Sequence, residues 1–221
     1  MRKIVLGMLV LLSACAGDTK ITEEEKVKIQ QDLTEISEID QKYAGIPPAA
    51  LRDKYGNEKA WELFLNKRDS VSRLHQEKIQ NLFTKYGYLG AQKIGEEAAS
   101  NFWLPIQHAD NNVEFQQKML EAMKIEIDKG SKDHYRYAML EDRILVNLGK
   151  KQRFGTQLTY NDKGQAIPKN GLLDSTNIDS LRNAYSLPDM KEYYNGMTQM
   201  HFEMNKTLYQ EKGILEPQLY P

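Results

Sequence analysis

Polar side chains with catalytic capacity crowd into one stretch of the 221-residue chain, between Gln107 and Gln157. The stretch opens with Gln107-His108-Ala109-Asp110 and passes through Gln116. It then reaches Asp142-Arg143 and closes on Gln152-Arg153-Phe154-Gly155-Thr156-Gln157. Histidine side chains beside carboxylates suit general-base or metal-ligand work, because imidazoles as a class titrate near neutrality. In a hydrolytic site, His108 would be the base or ligand and Asp110 or Asp142 would orient it. Arg143, Gln152 and Gln157 would hold an anionic or amide-bearing substrate. His108-x-Asp110 alone falls short of the three protein ligands a metal usually needs, so no metal site is assigned and the cofactor, if any, is unknown. Gly-x-Ser-x-Gly, His-Glu-x-x-His, P-loop and dinucleotide fingerprints are absent from the chain.

The elements around this stretch must bring it together. Val113, Leu120, Met123 and Ile127 recur at helical spacing to about Asp128, after a helix start of the form Asn111-x-x-Glu114. Gly130 ends that helix and Ser131 can cap the next, which runs to about Leu148 with Tyr135, Ala138, Met139, Leu145 and Val146 facing inward. A short turn at Gly130-Ser131 implies antiparallel packing, so Gln116 and Asp142 are expected at the same end of the pair. His108 and Asp110 precede the first helix and Gln152 to Gln157 follow the second, which places them there too. Gln116 and Asp142 stand where the apolar stripes call for hydrophobic side chains. A buried carboxylate needs a partner: His108, Arg153, a bound cation, or backbone donors in the 152–157 loop. Donors near Gly155-Thr156 are attractive because glycine allows close approach.

Upstream, Thr22-x-x-Glu25 reads as a capping box opening a helix with Ile29, Leu33, Ile36 and Tyr43 on one side. Gly45-Ile46-Pro47-Pro48 stops it. Asn57 caps a second long helix to about Tyr86, with Trp61, Phe64, Val71, Leu74 and Leu82 buried and His75 beside them. These two helices either brace the rest of the chain or form an arm. A third helix is expected over 94–103, ended or kinked near Pro105. After Phe154, Leu158-Thr159-Tyr160 and Gln165-Ala166-Ile167 flank a glycine-containing turn and read as a β-hairpin that must lie against helices. A short helix over 178–185 precedes a last one with Met190, Tyr194, Met197, Met204 and Leu208 on one face.

The composition, 40% apolar and 28% charged with a net charge of -1, is that of a folded globular chain. No basic stripe is present, so no nucleic-acid partner is expected. Arg2-Lys3 followed by the apolar run Ile4 to Leu12 reads as a signal peptide, far shorter than the roughly 20 residues that span a membrane. Cys15, the one cysteine, follows Leu12-Ser13-Ala14 as in the lipobox of bacterial lipoproteins, and is the expected lipidation site. The chain is thus expected in the bacterial cell envelope, held to a membrane by its N-terminal lipid. Ala16 after the cysteine favours the outer membrane facing the periplasm.

The motif set resembles a widespread bacterial family of unknown function whose members carry a Gln-His-Ala-Asp motif, an Asp-Arg pair and a Gln-x-aromatic-Gly-Thr-Gln motif. The resemblance covers roughly Gly90 to Tyr194, with Leu187-Pro188 and Glu192-Tyr193 in its closing segment. It implies a site and names no reaction. Together these readings give a mainly α fold, a helical bundle with a small β-hairpin packed at one end. Its parts are a signal peptide (1–14), a lipidated tether (15–21), N-terminal helices (22–88), a family-like helical domain with the hairpin (89–195), and a C-terminal helix and tail (196–221). Three functions compete: a hydrolase using His108, Asp110, Asp142 and Arg143; a module binding a peptide, glycan or partner protein through Gln107, Gln116, Gln152, Thr156 and Gln157; or a purely structural hydrogen-bond network.

Overall fold

The computed structural model describes residues 20–221. The expected signal peptide, Cys15 and all but the end of the expected tether lie outside the described residues. Ten helices and one two-stranded antiparallel sheet make up the described part, the mainly α architecture that the periodicity predicts. No helix among the described residues is long and apolar enough to cross a membrane.

Helix α1 (Glu23–Ala44) opens on the expected capping box. Thr22 Oγ1 accepts from the Glu25 backbone N–H at 3.2 Å, and the Glu25 carboxylate accepts from the Thr22 N–H at 3.1 Å. Glu25 also accepts from Lys85 Nζ and Tyr86 Oη, tying this end of α1 to the end of α3 (Asn57–Tyr86). The Thr22 backbone donor, with Lys85 and Tyr86, holds the Glu25 carboxyl down at about 2. Between α1 and α3 lies α2 (Ala49–Tyr55), which periodicity does not reveal because it is seven residues long and buries none of them. Asn57 is the first residue of α3 rather than its cap, and no side chain caps that end. The buried line of α3 is Ala60, Phe64, Val71, His75, Ile79 and Phe83. It is rotated by about one residue from the expected stripe, so Leu74 is 59% exposed and His75 is buried.

The helix expected over 94–103 is two helices, α4 (Ala91–Ile94) and α5 (Glu96–Gln107). Gly95 separates them with φ +86°, a left-handed conformation that favours glycine. Helix α5 carries Pro105 in its last turn and continues to Gln107, past the expected end. Asn112, not Asn111, caps α6 (Val113–Asp128), accepting from the Phe115 N–H at 3.1 Å. Leu33 and Ile36 of α1, Ile79 of α3, Phe102 of α5, Met119 of α6 and Leu140 of α7 (His134–Asn147) all belong to one buried cluster. The first helices therefore brace the later ones rather than standing apart as an arm. Each such side chain contributes on the order of 1.5–3 kcal/mol by leaving water.

Helix α7 is buried on two faces. Leu140 and Ile144 enter the main cluster, whereas Ala138 packs in a second one with Phe154 and Leu187. Asp142 lies one turn beyond Ala138, on the side of that second cluster. Tyr135, expected to face inward, is partly exposed. Beyond α7, strands β1 (Leu158–Tyr160) and β2 (Ala166–Pro168) pair antiparallel, with Thr159 opposite Ile167. Asn161 Oδ1 accepts from the Lys163 and Gln165 N–H groups and shapes the turn. The hairpin leans on α9 (Met190–Met204), where Thr198 Oγ1 accepts from the Ala166 N–H at 2.9 Å. Helix α8 (Ile178–Ala184) precedes α9, and α10 (Lys206–Glu211) follows it. The break at Asn205 removes Leu208 from α9. The inner line of α9 is Tyr194, Thr198 and Phe202, while Met204 and Leu208 are exposed, contrary to the face expected for them.

Candidate functional site

The loop 152–157 and its surroundings explain most of the buried polar residues. Asp142 is completely buried. Its Oδ1 accepts from the Arg153 and Phe154 N–H groups at 2.8 and 3.0 Å, and its Oδ2 from the Thr156 N–H and Oγ1 at 2.8 and 3.0 Å. Of the partners open to Asp142 on sequence grounds, the backbone donors of the 152–157 loop are the ones it uses, at Arg153 and Phe154 as well as Thr156. Burial pushes its carboxyl above the ordinary carboxylate range, against the pull of those four donors. The carbonyls of the same loop are taken from the other side. Arg182, wholly buried, donates to the Phe154 carbonyl at 2.6 Å; Tyr194 Oη donates to Gly155 O and Tyr193 Oη to Thr156 O. The loop is thus clamped between a buried anion and a buried cation.

Gln152 and Gln116 do similar work. The Gln152 amide donates to the Gln157 and Lys169 carbonyls and its oxygen accepts from the Gln157 N–H, pinning the loop to the hairpin. Gln116 donates to the Ile106 and Gln107 carbonyls, closing the end of α5. Its oxygen accepts from Asn147 Nδ2 at 3.1 Å. Helix α7 begins only at His134, so the pivot of the helix pair sits past Gly130, and Gln116 faces Asn147 rather than Asp142.

A second group of residues stays within reach of solvent. Asp110 and Arg143 form a bidentate pair, with Arg143 Nε and Nη2 at 2.7 and 2.5 Å from the two carboxylate oxygens. Burial raises the Asp110 pKa, but Arg143 and Asn147 outweigh it and hold the carboxyl below its usual range. Arg143 Nη1 also donates to Gln157 Oε1 at 3.1 Å. Three of the five guanidinium hydrogens are engaged, which leaves two. His108, at the C-terminal end of α5, places Nδ1 2.6 Å from Asp40 Oδ2. Contrary to the expectation from sequence, neither Asp110 nor Asp142 orients this imidazole; Asp40 of α1 does. Its other nitrogen, Nε2, makes no hydrogen bond to the described residues. Asp40 is not among the residues expected at the site, yet it stands in the apolar line of Ile29, Leu33 and Ile36. It carries the same signal, a polar residue in an apolar stripe, that marks Gln116 and Asp142.

His108, Asp110 and Arg143 form the wall shared by two clefts. One, of about 500 Å³, lies between the end of α1, the middle of α3 and the turn at 108–111, and includes Asp40, Tyr43, Asp69 and Asn111. The other, of about 380 Å³, lies between α5, α7, the 156–158 segment and α9, and includes Trp103, Gln107, Thr156, Gln157 and Tyr193. Gln107 and Gln157 both donate to the Met139 carbonyl, at 3.4 Å. The predicted site residues thus split into a buried scaffold (Gln116, Asp142, Gln152, Thr156) and an accessible edge (His108, Asp110, Arg143), with Gln107 and Gln157 between them. Among the described residues, no three His, Cys, Asp or Glu side chains are grouped so as to hold a metal ion.

Comparison with known proteins matches the chain to a family model. The model of a family of unknown function, DUF6624, covers residues 27–202, which takes in the N-terminal helices as well as the polar stretch. No curated protein matches the chain, and no solved structure does.

Proposed function

Because the chain belongs to DUF6624, a family of unknown function, no reaction follows from membership, and we propose from its own residues that it is a hydrolase of the bacterial cell envelope. The observation that carries this reading is the His108–Asp40 contact at 2.6 Å, on a wall facing two clefts, with Nε2 uncommitted. Asp40 accepts from Nδ1–H, which fixes the tautomer with an open lone pair on Nε2. Nε2 then takes a proton from a water molecule as the water oxygen attacks an acyl carbon. The two free Arg143 hydrogens face the negative charge that develops on the carbonyl oxygen. The proton passes from His108 to the leaving atom as its bond to carbon breaks, giving an acid and an amine or alcohol. Asp110 positions Arg143, and the buried Asp142 and Gln152 hold the loop that carries Thr156 and Gln157.

The cellular setting rests on the first sixteen residues: the basic start, the apolar run, and Cys15 at the point of cleavage. In this reading Cys15 carries the lipid, and Ala16 favours the outer membrane facing the periplasm. Acyl chains contribute roughly 0.8 kcal/mol per buried methylene, so a multiply acylated cysteine anchors stably. A second reading, binding without turnover of a peptide, glycan or partner protein, is favoured by the bonds from Arg143 to Asp110 and Gln157, which already occupy three of the five guanidinium hydrogens. Purified full chain, tested on a panel of aminoacyl p-nitroanilides and p-nitrophenyl esters, separates the two. Hydrolysis predicts turnover that falls by on the order of 10²–10⁴ in His108→Gln with an unchanged melting temperature. Absence of turnover across the panel favours binding alone, and equal turnover by the variant removes His108 from the mechanism.

A further inference from the structure

The smaller cleft holds two buried polar atoms without partners. Trp103 Nε1, a donor, and Gln107 Oε1, an acceptor, make no hydrogen bond to the described residues. Both residues are more than nine-tenths buried and both line the cleft beside His108. They are four residues apart on α5, and therefore neighbours on one helix face. The Gln107 amide cannot simply be turned over, since its nitrogen donates to the Met139 carbonyl. Its oxygen is thus fixed as an unsatisfied acceptor. Buried polar atoms are nearly always partnered, and an orphan costs about 1–3 kcal/mol. One orphan donor beside one orphan acceptor is complementary to a group that offers a carbonyl and an N–H together.

We propose that this cleft seats a secondary amide of a peptide, with Gln107 Oε1 accepting its N–H and Trp103 Nε1 donating to its carbonyl. The remaining walls argue for a peptide rather than an N-acetylated sugar. Leu104, Met139, Val146, Leu158 and Met197 present apolar surface suited to an aliphatic side chain, while Asp110, Arg143, Asn147 and Gln157 on the same walls are already hydrogen-bonded to one another. Neither orphan atom is open to water in the unliganded cleft, so admission requires a lining side chain to turn. Met139 and Met197 are flexible and unbranched, and turn readily. The inference deepens the hydrolytic reading, on which it rests for its meaning, by naming the substrate class: peptides presented to His108 across an apolar seat.

The test reads binding without turnover. The full chain, labelled with ¹⁵N at its two tryptophans and kept in detergent, gives two indole N–H signals, with Trp103 assigned by Trp103→Phe. Three probes are titrated: N-methyl-4-methylpentanamide, the ester methyl 4-methylpentanoate, and the methyl glycoside of N-acetylglucosamine. The amide is expected to move the Trp103 signal downfield to saturation and leave that of Trp61 in place. The ester lacks the N–H, leaves Gln107 Oε1 unpaired, and should bind about tenfold more weakly, as should the amide to Gln107→Leu. No movement of the Trp103 signal means that the cleft does not admit the amide, and overturns the proposal. Equal binding of amide and ester overturns it as well, and that comparison needs no variant should Gln107→Leu fail to fold. Stronger binding of the sugar overturns the commitment to a peptide. Binding of the amide together with failure to cleave any anilide refutes the hydrolase and leaves the amide seat standing.

Discussion

Replacing Asp142 by asparagine separates a catalytic carboxylate from a structural one. The wild-type carboxylate accepts four hydrogen bonds, two on each oxygen, all from residues 153–156. Asparagine keeps one accepting oxygen. With that oxygen in the Oδ1 position, the Arg153 and Phe154 donors stay satisfied and the new NH₂ faces the Thr156 N–H and hydroxyl. The hydroxyl can rotate to accept, but the Thr156 N–H meets a donor and is left unpaired. Loss of the charge is in part a relief, because burial pushes this carboxyl up despite its donors. The orphaned N–H therefore sets the magnitude, about 1–3 kcal/mol. For a chain of this size that corresponds to a fall in melting temperature of roughly 2–12 °C. Asp142→Ala orphans three buried N–H groups at once and should fail to give a cooperative unfolding transition. Thermal unfolding followed by circular dichroism, with turnover measured well below the transition, reads both quantities. An Asp142→Asn protein that melts with the wild type and has lost its turnover would refute the structural assignment.

Other consequences can be measured separately. Gly155→Ala should destabilise by about 2–4 kcal/mol in urea titrations, since its φ is +71° and a Cβ would stand 2.7 Å from Tyr194 Oη and 3.0 Å from Leu172 Cδ2; an unchanged midpoint would contradict the clamped loop. Burial holds the pKa of His75 below its ordinary value, with Lys78 adding to the effect and Asp40 opposing it. The unfolded chain therefore binds this proton more readily, so the stability associated with neutral His75 is full above about pH 6.5 and lost as pH falls below it, at no more than about 1.4 kcal/mol per pH unit. His75→Phe should flatten that slope between pH 6.5 and 5, and an identical slope in the variant would count against it. Cys15→Ser should move the protein from the membrane to the soluble fraction, and tight attachment of the variant would contradict lipidation.

Much of this arrangement can be read from the sequence, through polar residues that interrupt apolar periodicity. Asp142 is such a residue, and its need for a partner points to the 152–157 loop, whose Arg153, Phe154 and Thr156 donors it uses. Gln116 is another, although counting from Gly130 misses its partner, Asn147, because the connection between α6 and α7 runs on to Asp133. Asp40 carries the same signal, but its value depends on α1 packing against α5, a contact between segments some sixty residues apart that local pattern does not encode. Arg182 is less legible still: a charged residue on the short helix α8 reads as solvent-facing, yet it is wholly buried and donates to the Phe154 and Pro188 carbonyls. The stripe of α3 is displaced by about one residue because both flanking apolar positions, Leu74 and Ile79, fit a helical period and only the packing chooses between them.

The most direct measurement is turnover by Asp40→Asn, made alongside its melting temperature. Asparagine preserves the shape and can still accept from His108 Nδ1–H, while removing the charge that balances an imidazolium. The predicted result is a loss in kcat on the order of a hundredfold or more with the protein melting close to the wild type. Full turnover in this variant, or a loss that merely follows unfolding, would contradict the assignment of His108 and Asp40 as the acting pair.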